Sequence, residues 1–510
     1  MTSSRRDFIR FVVAGSVAAG CPIDLSLLTA EAPSALVDGD HFEICHKVRD
    51  GDSFPRPAPS KSCDVIIAGG GVSGLSAAYF LRDYDFLLLE KEPHWGGNAY
   101  LEEFEGHAFA TGSAFAEKDS AADLLAREIG LTLLPVNCPD PTIVNGAWVK
   151  ETWGSGLDSL PYSASVRDSF KKFQRDMLAI DVEKNAAEYD AMSLAQILQG
   201  YAPELKIWWD AYGPSNWGAR SEDTSALVAI AEIQDITERI EKGDTRVTLP
   251  GGNGAISKKL SEVLLAKYSK AMQTDATIVS VAPQKDSVSV TYIQSGKPVT
   301  AAAKLVVMAT PKFITSRIVS GIPDAQLDAM QAIRYCPYPV INMIFDKPVY
   351  TKAYDTWCPG NSFTDFIVAD WVLRAQPGYV PAKNILSFYT PLLESKRSRM
   401  LQAAGCKEIA AAVLADFQKL LPEFNATPSE IHFYRRGHPM FLPTPGNFTK
   451  TIPAARPPLD RVFFSNTDSA GPVSDVSDAI AQSRAASEWV AKRLKGTSSS
   501  AVAAASGLSV

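Results

Sequence analysis

Three spaced glycines, in Gly69-Gly70-Gly71-Val72-Ser73-Gly74, constrain this chain more than any other stretch. Residues 64–68 ahead of them are mostly apolar and β-branched, the pattern of a strand buried on both faces. Residues 75–81 behind them continue at helical spacing. Each glycine has a separate job: Gly69 makes a tight turn, Gly71 lets a pyrophosphate approach the backbone, and Gly74 lets helix and strand pack closely. The free amides of the helix start then face an anion with a favourable dipole. A second apolar strand, residues 86–89, ends in Glu90, placed to accept hydrogen bonds from the two ribose hydroxyls of an adenosine. Strand, glycines, helix, strand and acid in register specify a dinucleotide site rather than an ordinary turn. NAD and FAD both satisfy it.

Gly96-Gly97-Asn98 separates the two. It resembles the second glycine signature of the FAD-dependent amine oxidase superfamily, in which the pair lies against the FAD phosphates. Many relatives carry arginine after the pair, where this chain has Asn98. The resemblance implies FAD, with Gly69, Gly71, Gly74, Glu90, Gly96, Gly97 and Asn98 as cofactor-binding residues. It extends through the glycine-rich 247–254, the strands at 277–281 and 305–308, and the closing stretch 461–468. It adds Val281 and Asp468 to the cofactor-binding set, Asp468 being delivered toward the pyrophosphate and ribityl chain.

The implied fold is α/β: a discontinuous Rossmann-type FAD-binding domain (63–118, 243–310, 456–496) with an inserted α+β substrate domain (119–242, 311–455). Residues 33–62 read as a polar lead-in, and the Ser/Ala-rich 497–510 as a disordered tail. Residues 207–219 crowd Trp208, Trp209, Tyr212 and Trp217 together, a density that suits core packing or a ligand pocket.

Several short stretches resemble the secreted spermidine dehydrogenase-like flavoproteins: His46 to Gly51, Tyr212-Gly213, Ser225-Ala226, and Arg436-Gly437-His438-Pro439-Met440 with Pro445-Gly446. This implies oxidation of an amine, polyamine-like, by hydride transfer to flavin N5. His438 is the candidate for tuning the reacting site. Asn342 stands where many amine oxidases place a lysine that holds a water near N5. Asp475 stands where one tyrosine of their aromatic cage would be, and Thr111-Gly112-Ser113 lacks the acid usual near the flavin. His46 is a candidate non-covalent haem ligand, against the plainer reading of a histidine in a turn. Two other readings share the FAD motifs: a desaturase of an apolar substrate, and a non-oxidative flavoprotein similar to UDP-galactopyranose mutases.

Arg5-Arg6 ahead of the short apolar run 11–20 resembles a twin-arginine export signal, so residues 1–32 are set apart from the fold and a periplasmic location is expected. Ala18-Ala19-Gly20-Cys21 resembles a lipoprotein cleavage box, which would anchor the protein through Cys21. An exported dehydrogenase implies a periplasmic electron acceptor. A net charge of −7 with no basic block argues against a nucleic-acid partner. No other stretch approaches a membrane span. Seven scattered cysteines show no C-x-x-C pair and no metal-ligand spacing.

Overall fold

A computed structural model describes residue 33 and residues 35–505, except 425. Arg5-Arg6, the apolar run behind them and Cys21 lie outside the described residues, as do residues 506–510.

In chain order the lead-in forms β1 (Leu36–Gly39) and α1 (Glu43–Arg49). Then come β2 (Lys61–Ala68), α2 (Val72–Phe80) and β3 (Phe86–Leu89). The first substrate-side segment contributes the hairpin β4 (Pro141–Val144) and β5 (Ala147–Lys150), then α3 (Pro203–Trp217) and α4 (Ala226–Lys242). The chain returns through α5 (Gly254–Tyr268), β6 (Met272–Gln273), β7 (Ala276–Pro283), β8 (Val288–Gln294) and β9 (Lys297–Met308). It leaves again through α6 (Lys312–Ile318), β10 (Val340–Phe345), β11 (Asp355–Trp357), β12 (Asp365–Val368), β13 (Asn384–Tyr389) and β14 (Glu430–Arg435). β15 (Val462–Phe464) and α7 (Val476–Ala505) close the fold.

Two sheets result. The first runs β6-β3-β2-β9-β8-β7, with β15 added parallel to β9. Its centre is parallel, β9 to β2 to β3, and Val65 to Ala68 of β2 are fully buried, as an apolar strand covered on both faces must be. Helix α2 is buried from Ser73 to Tyr79, between this sheet and α7. The second sheet runs β1-β14-β10-β13-β12-β11-β4-β5. Its strands alternate: Ile341, Met343 and Phe345 enter one core with Phe417 behind them, while Val340 and Asn342 face the other way.

Two expectations change here. The polar lead-in joins the substrate sheet, because β1 pairs in parallel with β14 from Leu36↔His432 to Gly39↔Arg435. The Ser/Ala tail continues α7 to Ala505. Alanine is the best helix former, and adding residues to an existing helix avoids the cost of nucleation.

Candidate active site

The two glycine turns are built against each other. Gly96 N–H donates to the Gly70 carbonyl at 2.9 Å, and Gly71 and Gly96 form a parallel bridge. Gly97, at φ +56°, lies so close that a Cβ there would sit 3.0 Å from Gly71 Cα. A Cβ on Gly74 would overlap the carbonyl oxygen of Gly69, so Gly74 serves packing, as expected, and does not line the cavity. Gly70, unassigned from sequence, is also obligatory, since the Trp95 ring covers it. Glu90 is buried and accepts from the N–H of Gly70 at 2.5 Å and of Glu92 at 2.8 Å. Burial raises its pKa against the pull of the Lys91 charge and of the Gly70 and Lys91 N–H groups.

These residues open onto one cavity of about 1140 Å³. Gly69, Gly71, Glu90, Gly96, Gly97, Asn98, Asp468, His438 and His46 all line it. Val281 does not. Its carbonyl accepts from Ser320 N–H at 3.0 Å and it bridges Val319, while Ala276, Thr277 and Ile278 are the wall residues from β7. Asn342 is likewise displaced from its expected place. It lies on the correct face of β10, one row too deep, with its amide donating to the Ala110 carbonyl at 3.2 Å and accepting from Ser387. The row that reaches the cavity along its whole length is Val340, Tyr389, Asp365 and Trp357, in register across β10, β13, β12 and β11, while the row of Asn342 reaches it only at Ile367 and Asp355.

Asp468 is held on all sides by protein. Its Oδ2 accepts from Lys312 N–H and Tyr335 O–H, each at 2.7 Å, and its Oδ1 from Lys312 Nζ at 3.0 Å. Lys312 also reaches Ser469, and both charges are buried. The acid anchors the closing turn to the start of α6 and presents only an edge to the cavity.

Beyond the glycine turns the cavity widens between the two sheets. Tyr212 and Trp217 of α3 line this chamber, while Trp208 and Trp209 pack with Trp153 in the core, so the aromatic cluster serves both purposes. Tyr338 and Tyr389 meet edge to face at 6.0 Å, and Tyr389 O–H donates to the Gly112 carbonyl at 2.8 Å. Asp475 also lines the wall.

Several carboxylates border the chamber, and four of them matter here. Arg246 pairs with Asp140 at 2.6 Å, and Glu232 accepts from Tyr212 O–H at 2.5 Å with Arg239 at 3.5 Å. Asp355 and Asp365 have no ion pair among the described residues. They occupy one face of the β11–β12 hairpin, diagonally opposed, and Asp355 Oδ1 is buried without a hydrogen-bond partner. Thr364 donates to Asp365 at 2.6 Å. Burial and mutual repulsion push the Asp355 carboxyl well up, and burial lifts Asp365 to about 7. Sequence reasoning missed this pair. Strands of three and four residues separated by Pro, Gly and Asn read as loop, and surface loops are full of aspartate.

His438 stacks on Phe313 at 4.4 Å, and burial aided by Arg397 lowers its pKa to about 4. The imidazole is neutral at working pH. His46, on α1, stacks on Phe42 at 4.7 Å and belongs to the part of the wall supplied by the lead-in. Among the described residues no group of three or more His, Cys, Asp or Glu could hold a metal ion, and no helix is long and apolar enough to cross a membrane.

Residues 72–491 match the family model of flavin-containing amine oxidoreductases. The chain belongs to this family. The family implies FAD, and the glycine cradle and buried Glu90 fit it. Among curated relatives, oxidoreductase PigB of a Serratia strain is 22% identical, over 84% of this chain and 76% of its own. Human flavin-containing amine oxidase B is 23% identical over 81% of this chain and 82% of its own. Among solved structures, wild-type putrescine oxidase bound to putrescine superimposes with a TM-score of 0.65 at 17% identity, covering 84% of this chain and 99% of that one. Cyclohexylamine oxidase from Brevibacterium oxydans gives 0.64 at 17% identity, covering 85% and 99%. The family fold is thus an α/β FAD-binding domain joined to a substrate domain, and the chain is an FAD-dependent oxidoreductase.

Proposed function

We propose that this chain oxidises a primary or secondary amine that carries a second, cationic nitrogen, and that it does so outside the cytoplasm, passing electrons to a carrier. The observation that carries the substrate reading is the Asp355–Asp365 pair, buried in the chamber wall without an ion pair to any described residue. Two such carboxylates do not both ionise without a counter-charge. An ammonium bound between them supplies it, and the aromatic walls of Tyr338, Tyr389 and Trp357 accept the alkyl chain. The flavin, when bound, accepts the hydride. The nitrogen beside the reacting carbon must be neutral for its lone pair to assist hydride loss, while the second nitrogen stays charged. Tyrosine and tryptophan rings exclude water from the chamber, and neutral His438 adds no opposing charge. The same acidic pair disfavours an apolar polyene.

Anaerobic mixing with diamines, monoamines of equal length, amino acids and a polyene tests this by bleaching of the flavin absorbance. Diamines should bleach it fastest. If only a polyene or an amino acid does, the amine reading is wrong. Export rests on Arg5-Arg6 ahead of the short apolar run 11–20. Changing both to lysine should leave the protein in the cytoplasm, and unchanged periplasmic yield would reject that part.

A further inference from the structure

Arg436 follows the last residue of β14 and is 3% exposed. Its Nη2 donates to Thr111 Oγ1 at 3.0 Å, while its Nε is buried with no hydrogen-bond partner. It makes no ion pair with any described residue, and it lines the cavity. Burial works against its charge more strongly than the more distant Asp40, Asp38 and Glu90 restore it. A guanidinium does not shed its proton to escape this situation. An unpaired, buried cation with a free donor, facing a cavity, lacks an anion.

The surroundings say which anion. Thr111 precedes Gly112, where a Cβ would overlap the Asn98 carbonyl, so the guanidinium is held against the segment that leaves the Gly96–Gly97 turn. Asn98 supplies no charge there, and its amide is tied to the Pro439 carbonyl at 2.8 Å. The glycine turns expose backbone amides but hold no cationic side chain. The lead-in fixes the arginine's backbone from behind. Asp40 N–H donates to the Arg435 carbonyl at 3.0 Å, and the Asp40 carboxylate accepts from Gly437 N–H at 2.8 Å. Residues on both sides of Arg436 are thereby clamped by a segment that precedes residue 72, where the family match begins.

We propose that Arg436, delivered from the substrate sheet and clamped by the lead-in, is the cationic ligand of the FAD pyrophosphate. Guanidinium is suited to this, since its planar fork gives paired charge-assisted hydrogen bonds to phosphate oxygens. The binding of FAD then joins the two domains across the cavity, independently of which substrate the chamber accepts.

Removing such a contact should weaken binding about 10–100-fold. The test uses apo full-length protein and titrates FAD, riboflavin, ADP and adenosine into wild type, R436M and R436K. For R436M, FAD and ADP affinity should fall by that factor while riboflavin and adenosine change less than about twofold. R436K should recover part of the loss, and the 31P resonances of bound FAD should shift in both variants. Equal losses for riboflavin would place the guanidinium on the isoalloxazine and overturn the proposal, as would equal losses for adenosine or an unchanged FAD affinity. Should R436M fail to fold, R436K decides: selective loss for FAD and ADP supports the assignment, and uniform affinities reject it.

Discussion

Lys312 and Asp468 form a charge pair at 3.0 Å with both side chains excluded from solvent, and the Lys312 ammonium also lies 5.4 Å from the centre of the Phe464 ring. One pair ties the start of α6 to the turn after β15. Truncating one partner of a buried pair leaves an uncompensated charge, so Lys312→Met should cost about 3–5 kcal/mol. The double variant Lys312→Met, Asp468→Asn should recover much of it. Urea unfolding of both checks this, and equal destabilisation in the two would show that the carboxylate is not what suffers.

Gly71 has room for a Cβ, with nothing nearer than Gly97 Cα at 3.7 Å, but a larger side chain there points into the cavity. Gly71→Val should therefore fold and purify without flavin. Gly74→Ala should instead disturb the fold, because the Gly69 carbonyl occupies the space. Flavin absorbance and the unfolding midpoint, measured together, separate the two outcomes.

Asp365 carries a folded pKa of about 7, above that of an unfolded aspartate. The native state binds the extra proton, so its contribution to stability is full in acid and is lost as pH rises through about 7. Asp365→Asn escapes that loss. Its melting temperature should exceed that of wild type by a margin that grows between pH 4 and 8, while KM for a diamine rises about tenfold or more. A constant margin across pH would mean that Asp365 ionises in the native protein as readily as in the unfolded chain.

His438 and His94 both titrate near 4 in the fold, below the ordinary value of 6.5, with burial as the main cause. Unfolded chains take up these protons first. The stability they support is therefore complete above about 6.5 and is lost as pH falls toward 4. Compared with wild type, His438→Gln should lose less stability over that window. Any catalytic pH limb near 6.5 should persist in this variant, and its disappearance would return His438 to the reacting site.

What the sequence determined by itself was local. Gly69 to Glu90 encode a turn, a helix start and a terminal acid within about twenty residues, and each demand is met by backbone geometry that the residue types impose. Strands such as Phe86–Leu89 and Val340–Phe345 were legible from apolar pattern and length. Tertiary structure decided everything that depends on register between distant segments. A sheet's side chains alternate and its rows are set by pairing, so Asn342 fell at the buried end of its row while Tyr389 and Asp365 of the next row reached the cavity. Val281 is taken up by a bridge to Val319, and the start of its strand, Ala276 to Ile278, forms the wall instead. Asp355 joins Asp365, and Arg436 joins Thr111, only because separate strands and loops converge on one cavity. The lead-in gives no sign of its partner strand, since a four-residue edge strand carries too little pattern to name the strand it will pair with.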